Sequence, residues 1–387
     1  MSARPRAAVV VGTRPEAIKL APLVRALRDR RALEPVLVST GQHRQMLDQA
    51  LGVFGLTPDV DLALMTPGQT LHDVTGRTLA GMRDALRDCR PSWVVVQGDT
   101  TTAFASALAA FYEKLPVAHV EAGLRSGERY SPFPEEVNRR LVDQLSDVLF
   151  APTEQARQLL LKEGFPADRV HLTGNTAVDA ILAAREIVRS RGVLVPGLPE
   201  AAVRGRRLVL VTAHRRESFG PGLEAMCRAM LRIVRARPEA CVVYPVHLNP
   251  NVDGPVRRLL EGRPGVVLLP PLPYLEFVAL MDRAHFILSD SGGVQEEAPA
   301  LRKPVLVMRD VTERPEGVAA GLARLVGTSE DRIFQEAERL FSDRQHYERM
   351  AAGHNPYGDG TAAVRIAEVL EKGCEAERAD AAPLPAA

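Results

Sequence analysis

Cysteine is scarce and scattered in this 387-residue chain: Cys89, Cys227, Cys241 and Cys374 share no C-x-x-C spacing. Their placement excludes a disulfide framework and a zinc ribbon, and fits a reducing compartment such as the cytoplasm. Net charge is nearly absent, +1 at pH 7, which argues against a general nucleic-acid or membrane-surface binder and for a small-molecule partner. Long apolar runs are missing as well. The run behind the basic N-terminus covers only Ala7 to Val11 and leads into a glycine turn, too short for a signal peptide or a membrane span. G-x-G-x-x-G, the P-loop pattern and H-E-x-x-H do not occur, which removes the usual marks of dinucleotide hydride transfer, NTP hydrolysis and zinc proteolysis. No Asp/His cluster has metal-ligand spacing, so neither a metal nor another cofactor is expected, and no repeat of solenoid length recurs. Lysine is rare, five among 49 basic residues. Lys19 follows the first glycine turn closely enough for a compact ammonium to reach a phosphate there.

What is present is an ordinary globular composition, 46% apolar and 25% charged, at a length that favours two domains over one core. Short apolar runs bounded by turns alternate with amphipathic segments, the pattern of an α/β chain with parallel sheets. The expected strands are Ala7–Val11, Pro35–Ser39, Trp93–Gln97, Pro116–Val120 and Val148–Ala151, then Leu208–Thr212, Cys241–Pro245, Val266–Leu269, Phe286–Ser289 and Pro304–Met308. Two doubly wound lobes follow, residues 1–173 and 174–360, with the crossing near Thr173-Gly174-Asn175. A helix over about 361–372 follows the turn cluster Asn355–Gly360, and the Ala-, Pro- and charge-rich tail 373–387 reads as disordered and dispensable.

In open parallel sheets ligands bind beyond the carboxyl ends of strands. Arg14, Asp99 and Glu121 follow strands of the first lobe, and His214 and Ser291 follow strands of the second. The richest of these places is Leu288-Ser289-Asp290-Ser291-Gly292-Gly293-Val294-Gln295-Glu296-Glu297. Backbone N–H groups at Ser291, Gly292 and Gly293, with the positive end of the helix they open, suit a nucleotide diphosphate, and an acid one turn further accepts from ribose hydroxyls. The same residues satisfy a capping box, and the turn by itself leaves both readings open. Asp99 also fits a plain helix N-cap, Glu121 a polar loop and the His214 segment a solvated basic turn. Glu135 stands at an acidic helix start behind Ser131-Pro132-Phe133-Pro134, a proline-stiffened candidate lid, and fits a plain helix-cap acid as well. Carboxylates and a histidine beside a metal-free diphosphate site suit a reaction in which a nucleoside diphosphate leaves carbon while protons move next to it.

These blocks, in this order, resemble the non-hydrolysing UDP-N-acetylglucosamine 2-epimerases. The resemblance runs through Gly12–Lys19, Gly98–Thr102, His119–Arg125, Ser131–Glu136, Thr173–Thr176, His214–Glu217, Tyr244–Pro250, the Leu288–Pro299 segment, Arg309–Glu316 and Asn355–Gly360, and only the tail lies outside it. It implies a GT-B type α/β fold, two Rossmann-like doubly wound lobes facing a central cleft, with the last helix returning to the first lobe. It also implies the reaction: UDP-GlcNAc and UDP-ManNAc interconvert by elimination of UDP to 2-acetamidoglucal and its re-addition. Carried over to this chain, Asp99, Glu121 and Glu135 match the catalytic carboxylates, and His214 the residue near the glycosidic oxygen. Arg14, Lys19, Ser291, Gly292, Gly293 and Arg314 match uridine-diphosphate and sugar contacts, with Glu297 on the ribose and the backbone near Leu272 and Phe277 against uracil. Gln42, Glu136, Arg215 and His247 match an activating second-substrate site, although Gly68 stands where members with that site carry arginine. The resemblance also implies a homodimer, the usual state of members of the family. Three competing readings share the nucleotide cradle: an epimerase or hydrolysing relative for a modified UDP-sugar, a GT-B glycosyltransferase, and a nucleotide-sugar-binding regulator without turnover.

Overall fold

A computed structural model describes residues 4–41, 44–66 and 68–380 of the chain. The chain divides into two compact units, Met1–Ala180 with Tyr357–Ala387, and Ile181–Pro356. In the first unit, strands β1 (Arg6–Val11), β2 (Glu34–Ser39), β3 (Val60–Asp61), β4 (Trp93–Gln97), β5 (Val117–Val120), β6 (Val148–Ala151) and β7 (Val170–Leu172) form one parallel sheet in the order β3-β2-β1-β4-β5-β6-β7. The second unit repeats the plan with β8 (Arg207–Thr212), β9 (Ala240–Pro245), β10 (Val266–Leu269), β11 (Ala284–Ser289), β12 (Val305–Val307) and β13 (Ala323–Leu325), in the order β10-β9-β8-β11-β12-β13. Helices cover both faces of such sheets, so the inner strands are near-continuous runs of Val, Leu and Ile rather than alternating ones. β4 is buried at all five positions. Each unit is therefore Rossmann-like, with its strand order reversing once: between β1 and β4 in the first, and between β8 and β11 in the second.

The strands absent from the sequence reading are β3, β7 and β13, each two or three residues long and each at a sheet edge. A strand of that length has no period to detect. The last helix also departs from expectation. It runs from Ala362 to Asp380, so residues 373–380 are helix and not tail, while 381–387 lie outside the described residues. The Trp93 Nε1–H donates to Leu370 O at 3.1 Å, and a Cβ on Gly373 would stand 2.6 Å from Trp93 Cζ2. The glycine that ends the amphipathic pattern in sequence is thus where the helix lies closest to the indole, and Cys374 behind it is buried.

The chain passes from the first unit to the second inside the helix Thr176–Arg191, a few residues beyond the expected Thr173-Gly174-Asn175. That glycine turn is a joint within the first unit. Asn175 N–H donates to Tyr357 O at 2.7 Å, and Gly174 packs on Gly358 so closely that a Cβ would meet the Gly358 Cα at 3.2 Å. Asp179 then caps the last helix, accepting from Ala362 and Ala363 N–H at 3.3 and 2.9 Å. Burial, opposed by those two donors, pushes its carboxyl up from 3.8 to about 6. A raised carboxyl binds its proton more tightly in the folded than in the unfolded chain, so its contribution to stability falls as pH rises from about 4 to about 6. Asp179→Asn keeps an acceptor and removes the titration. Thermal unfolding of this variant is expected to gain on the parent across that window, by up to about 3 kcal/mol, and parallel pH profiles would refute it.

Among the described residues, no helix is long and apolar enough to cross a membrane.

Candidate functional site

The switch point of the second unit collects most of the expected nucleotide contacts. Asp290, fully buried at the end of β11, accepts from the N–H groups of His214 and Arg215 with one oxygen, both at 2.7 Å, and lies 3.5 Å from His214 Nδ1 with the other. It caps the turn after β8, not its own helix. Ser291 N–H goes to Ser289 Oγ at 3.0 Å, and the Ser291 side chain makes no cap on the helix Gly292–Ala300. The capping-box alternative is therefore not what the backbone adopts. Beyond the Gly292 Cα the nearest atom a Cβ would meet is an Arg215 Nη2 at 3.9 Å, so a guanidinium borders an open helix N-terminus, a combination that favours an anion.

The other expected contacts of the second unit lie on the segments after β10 and β12 and on the helix that the turn opens. Arg314 Nε donates to Glu296, which is buried, whereas Glu297 on the same helix is half-buried. Thr312 Oγ1 donates to Gln295 Oε1 at 2.6 Å and Gln295 Nε2 to Ser291 O at 3.2 Å, which links the Arg314 loop to the start of the helix. Leu272 and Phe277, both half-buried, flank the start of the helix Tyr274–Arg283 after β10. The His214 ring stacks on His247 with centroids 5.4 Å apart. Desolvation holds the His214 imidazole below its ordinary 6.5, with Asp290 pulling the other way. Arg309, buried, clamps Glu217 through Nε and Nη2 at 2.5 and 3.3 Å, which pins the far end of the His214 turn.

The first unit is organised around carboxylates. Glu121, immediately after β5, is buried and has φ 69, left-handed backbone that is uncommon outside glycine and characteristic of functional turns. Lys19 Nζ donates to both of its oxygens, at 2.8 and 2.6 Å, and Gln97 Nε2 donates to the second. Asp99, after β4, takes Arg139 on its carboxylate, and its carbonyl accepts from Asn138 Nδ2 at 3.0 Å. Glu135 is the first residue of the helix Glu135–Leu145 that supplies both partners, behind cis bonds at Ser131-Pro132 and Phe133-Pro134. Among the described residues no group of three or more His, Cys, Asp or Glu side chains could hold a metal ion.

The position most like a Rossmann phosphate site, after β1, is already filled by the chain itself. Glu16 Oε2 accepts from Gly12 N–H, Thr13 N–H and Thr13 Oγ1 at 2.8, 2.6 and 2.9 Å, and Oε1 accepts from Thr100 Oγ1 at 2.5 Å. Arg14 opens the helix beside this carboxylate, half-buried. Burial, against those hydrogen bonds, raises the Glu16 carboxyl above 4.5. Lys19, expected near a phosphate from its position in sequence, is paired with Glu121. The signal for that pairing is absent from local sequence, since 102 residues separate the two. Sequence reading gave no role of their own to Glu16, Gln97, Asn138, Arg139, Asp290 and Glu296, whose partners lie at a distance along the chain or across a turn.

Of the residues matched to a second-substrate site, Gln42 lies outside the described residues. Glu136 is almost fully buried, accepts from Ser126 N–H at 2.9 Å and pairs with Arg139 and Arg140. Burial opposes its ionisation, yet these donors hold its carboxyl below 4.5. His247 is exposed beside His214, Arg215 borders Gly292, and Gly68 has φ 74 with open space where a Cβ would stand.

The family model for UDP-N-acetylglucosamine 2-epimerase matches residues 25–371. The UDP-N-acetylglucosamine 2-epimerase of Escherichia coli (strain K12) is 52% identical over 366 residues, covering 94% of this chain and 97% of its own. That of Salmonella typhimurium is 51% identical over 365 residues, again with 94% and 97% coverage. The crystal structure of UDP-GlcNAc 2-epimerase from Neisseria meningitidis bound to UDP-GlcNAc superposes with a TM-score of 0.85 at 45% identity, over 95% of this chain and all of that one. Similarity of this depth over nearly the full length carries the GT-B type of fold with it, and the chain belongs to the UDP-N-acetylglucosamine 2-epimerase family.

Proposed function

We propose that this protein interconverts UDP-GlcNAc and UDP-ManNAc without net hydrolysis. A base removes the C2 proton, the C1–O bond breaks, and UDP leaves to give enzyme-held 2-acetamidoglucal. Protonation of C2 on the opposite face and return of UDP to C1 complete the epimerisation. The observation that carries this reading is the Glu121 carboxylate, buried in left-handed backbone and held by Lys19 and Gln97, with Asp99 at the end of the neighbouring strand. An unactivated C–H demands a strongly positioned acid/base set and a stabilised leaving group.

The two halves of the task fall to different units. In the second unit the Gly292 and Gly293 N–H groups take the diphosphate, Arg215 and Arg314 supply positive charge, Glu297 holds the ribose, the backbone near Leu272 and Phe277 takes uracil, and His214 serves the departing oxygen. Burial holds its pKa below 6.5, which favours the neutral imidazole, whose N–H offers that oxygen a hydrogen bond. In the first unit Asp99, Glu121 and Glu135 handle the C2 protons, and Arg14 contacts the substrate. Incubation with UDP-GlcNAc in D2O, followed by NMR, tests the proposal. Deuterium is expected at C2 in an epimeric mixture that still carries UDP. Absence of C2 exchange would sink it, and net release of free sugar and UDP would favour a hydrolysing relative.

A further inference from the structure

Two consecutive carbonyls of the Gly98–Asp99 turn are taken by side chains. Gly98 O accepts from His119 Nε2 at 2.8 Å and Asp99 O from Asn138 Nδ2 at 3.0 Å. A carbonyl only accepts, so the His119 Nε2 carries a proton. On its other side His119 Nδ1 lies 2.7 Å from Asp143 Oδ1, a spacing that requires a hydrogen between the two atoms, and Asp143 Oδ2 accepts from Arg125 Nη2 at 2.7 Å. His119 and Asp143 are both fully buried. A polar chain of this kind is costly to bury and rigid once every member is satisfied.

The chain has a geometric consequence. Glu135, Asn138, Arg139 and Asp143 lie on one helix, at spacings that return to the same face. Asn138 and Arg139 reach Asp99 directly, and Asp143 reaches the residue before it through His119. His119 also sits two residues before Glu121 on β5. The three carboxylates are therefore referred to one frame, a strand and a helix joined by a buried imidazole.

We propose that His119 is a positioning residue: the clamp of its Nε2–H on Gly98 O fixes the direction in which Asp99 presents its carboxylate relative to Glu121 and Glu135, and the Asp143 contact serves to hold the ring and the fold around it. The inference rests on the proposed epimerase reading. It touches no substrate atom, and its effect belongs in turnover, not in nucleotide binding. Misplacement of a reacting group by about 1 Å costs up to ~100-fold in rate.

The two nitrogens can be separated by isosteres. A glutamine amide nitrogen falls near Nε2 and keeps the donor to Gly98 O, whereas an asparagine amide nitrogen falls near Nδ1 and keeps only the contact with Asp143. In the full-length protein, His119→Gln is expected to hold kcat for epimerisation within ~3-fold of the parent, and His119→Asn to lose ~100-fold in kcat with KM nearly unchanged. Thermal midpoints, read alongside, are expected to fall similarly for both. Equal kcat in the two variants, or losses that follow the thermal midpoints, would overturn the proposal. Should neither variant fold, Asn138→Leu removes the parallel clamp on Asp99 O; it is expected to lower kcat at constant KM, and an unchanged kcat would also overturn it. The parent's own C2 exchange in D2O is the control: if it is absent the epimerase reading fails, and if it is present with equal variants only the clamp does.

Discussion

Glu121→Gln is expected to slow C2 hydrogen exchange about a thousandfold while leaving the affinity for UDP within a few-fold of the parent. The glutamine keeps the shape and the acceptor for Gln97, but it does not ionise, and it leaves the Lys19 ammonium without the carboxylate that it now meets at 2.6 and 2.8 Å. Loss of one member of a poorly solvated ion pair costs stability as well as chemistry. The double variant Glu121→Gln, Lys19→Met is therefore expected to recover part of the thermal stability lost in the single variant and none of the exchange. UDP binding, measured by calorimetry, separates the roles, since the glycine turn proposed to take the diphosphate belongs to the second unit. Near-parental exchange in Glu121→Gln would remove this residue from the proton-transfer set; loss of UDP affinity would assign it a structural role instead.

Gly292→Asp is expected to act in the opposite sense, with UDP affinity reduced ~100-fold and thermal stability unchanged or slightly raised. Gly292 is the first residue of its helix and has room for a side chain, the nearest atom to a new Cβ being an Arg215 Nη2 at 3.9 Å. An acid in the first turn of a helix is favourable in the free protein. The same charge stands where a diphosphate is proposed to bind and competes with it for the N–H groups and for Arg215. Calorimetric titration with UDP beside a thermal melt reads both signs. Parental affinity in a folded Gly292→Asp protein would move the diphosphate away from this turn.

Both experiments bear on how differently the two units treat the same motif. Each has a parallel sheet with one reversal of strand order, and each places polar turns there. In the first unit the turn after β1 is closed by Glu16, a carboxylate from its own helix, so that the anion-binding position is satisfied internally. In the second, Asp290 satisfies the turn after β8 and leaves the helix at Gly292 without a side-chain cap. One unit thus leaves a helix N-terminus without a side-chain cap, and the other closes the corresponding turn with a carboxylate of its own.

Much of the fold is legible in the sequence. The inner strands read as Val- and Leu-rich runs followed within a few residues by polar or glycine-containing turns, because a strand buried on both faces must be apolar throughout and its C-terminal turn need not be. Arg14, Asp99, Glu121, His214 and Ser291 were located by that rule alone. The two-residue strand β3 and the three-residue strands β7 and β13 were not, since so short an edge has no pattern, and the helix past residue 372 was hidden by a glycine that only the indole of Trp93 explains.

The sequence by itself determined the number of lobes, the parallel sheets, the turns at their carboxyl ends and the family, all of which follow from local composition and the order of blocks. Only the tertiary structure decided which residues meet: Lys19 with Glu121, Arg139 with Asp99, Arg314 with Glu296, Asp290 with the turn after β8, and His119 with both Gly98 and Asp143. These pairs join residues 18 to 102 positions apart, and electrostatic choice among several nearby acids and bases depends on distances that no local pattern records.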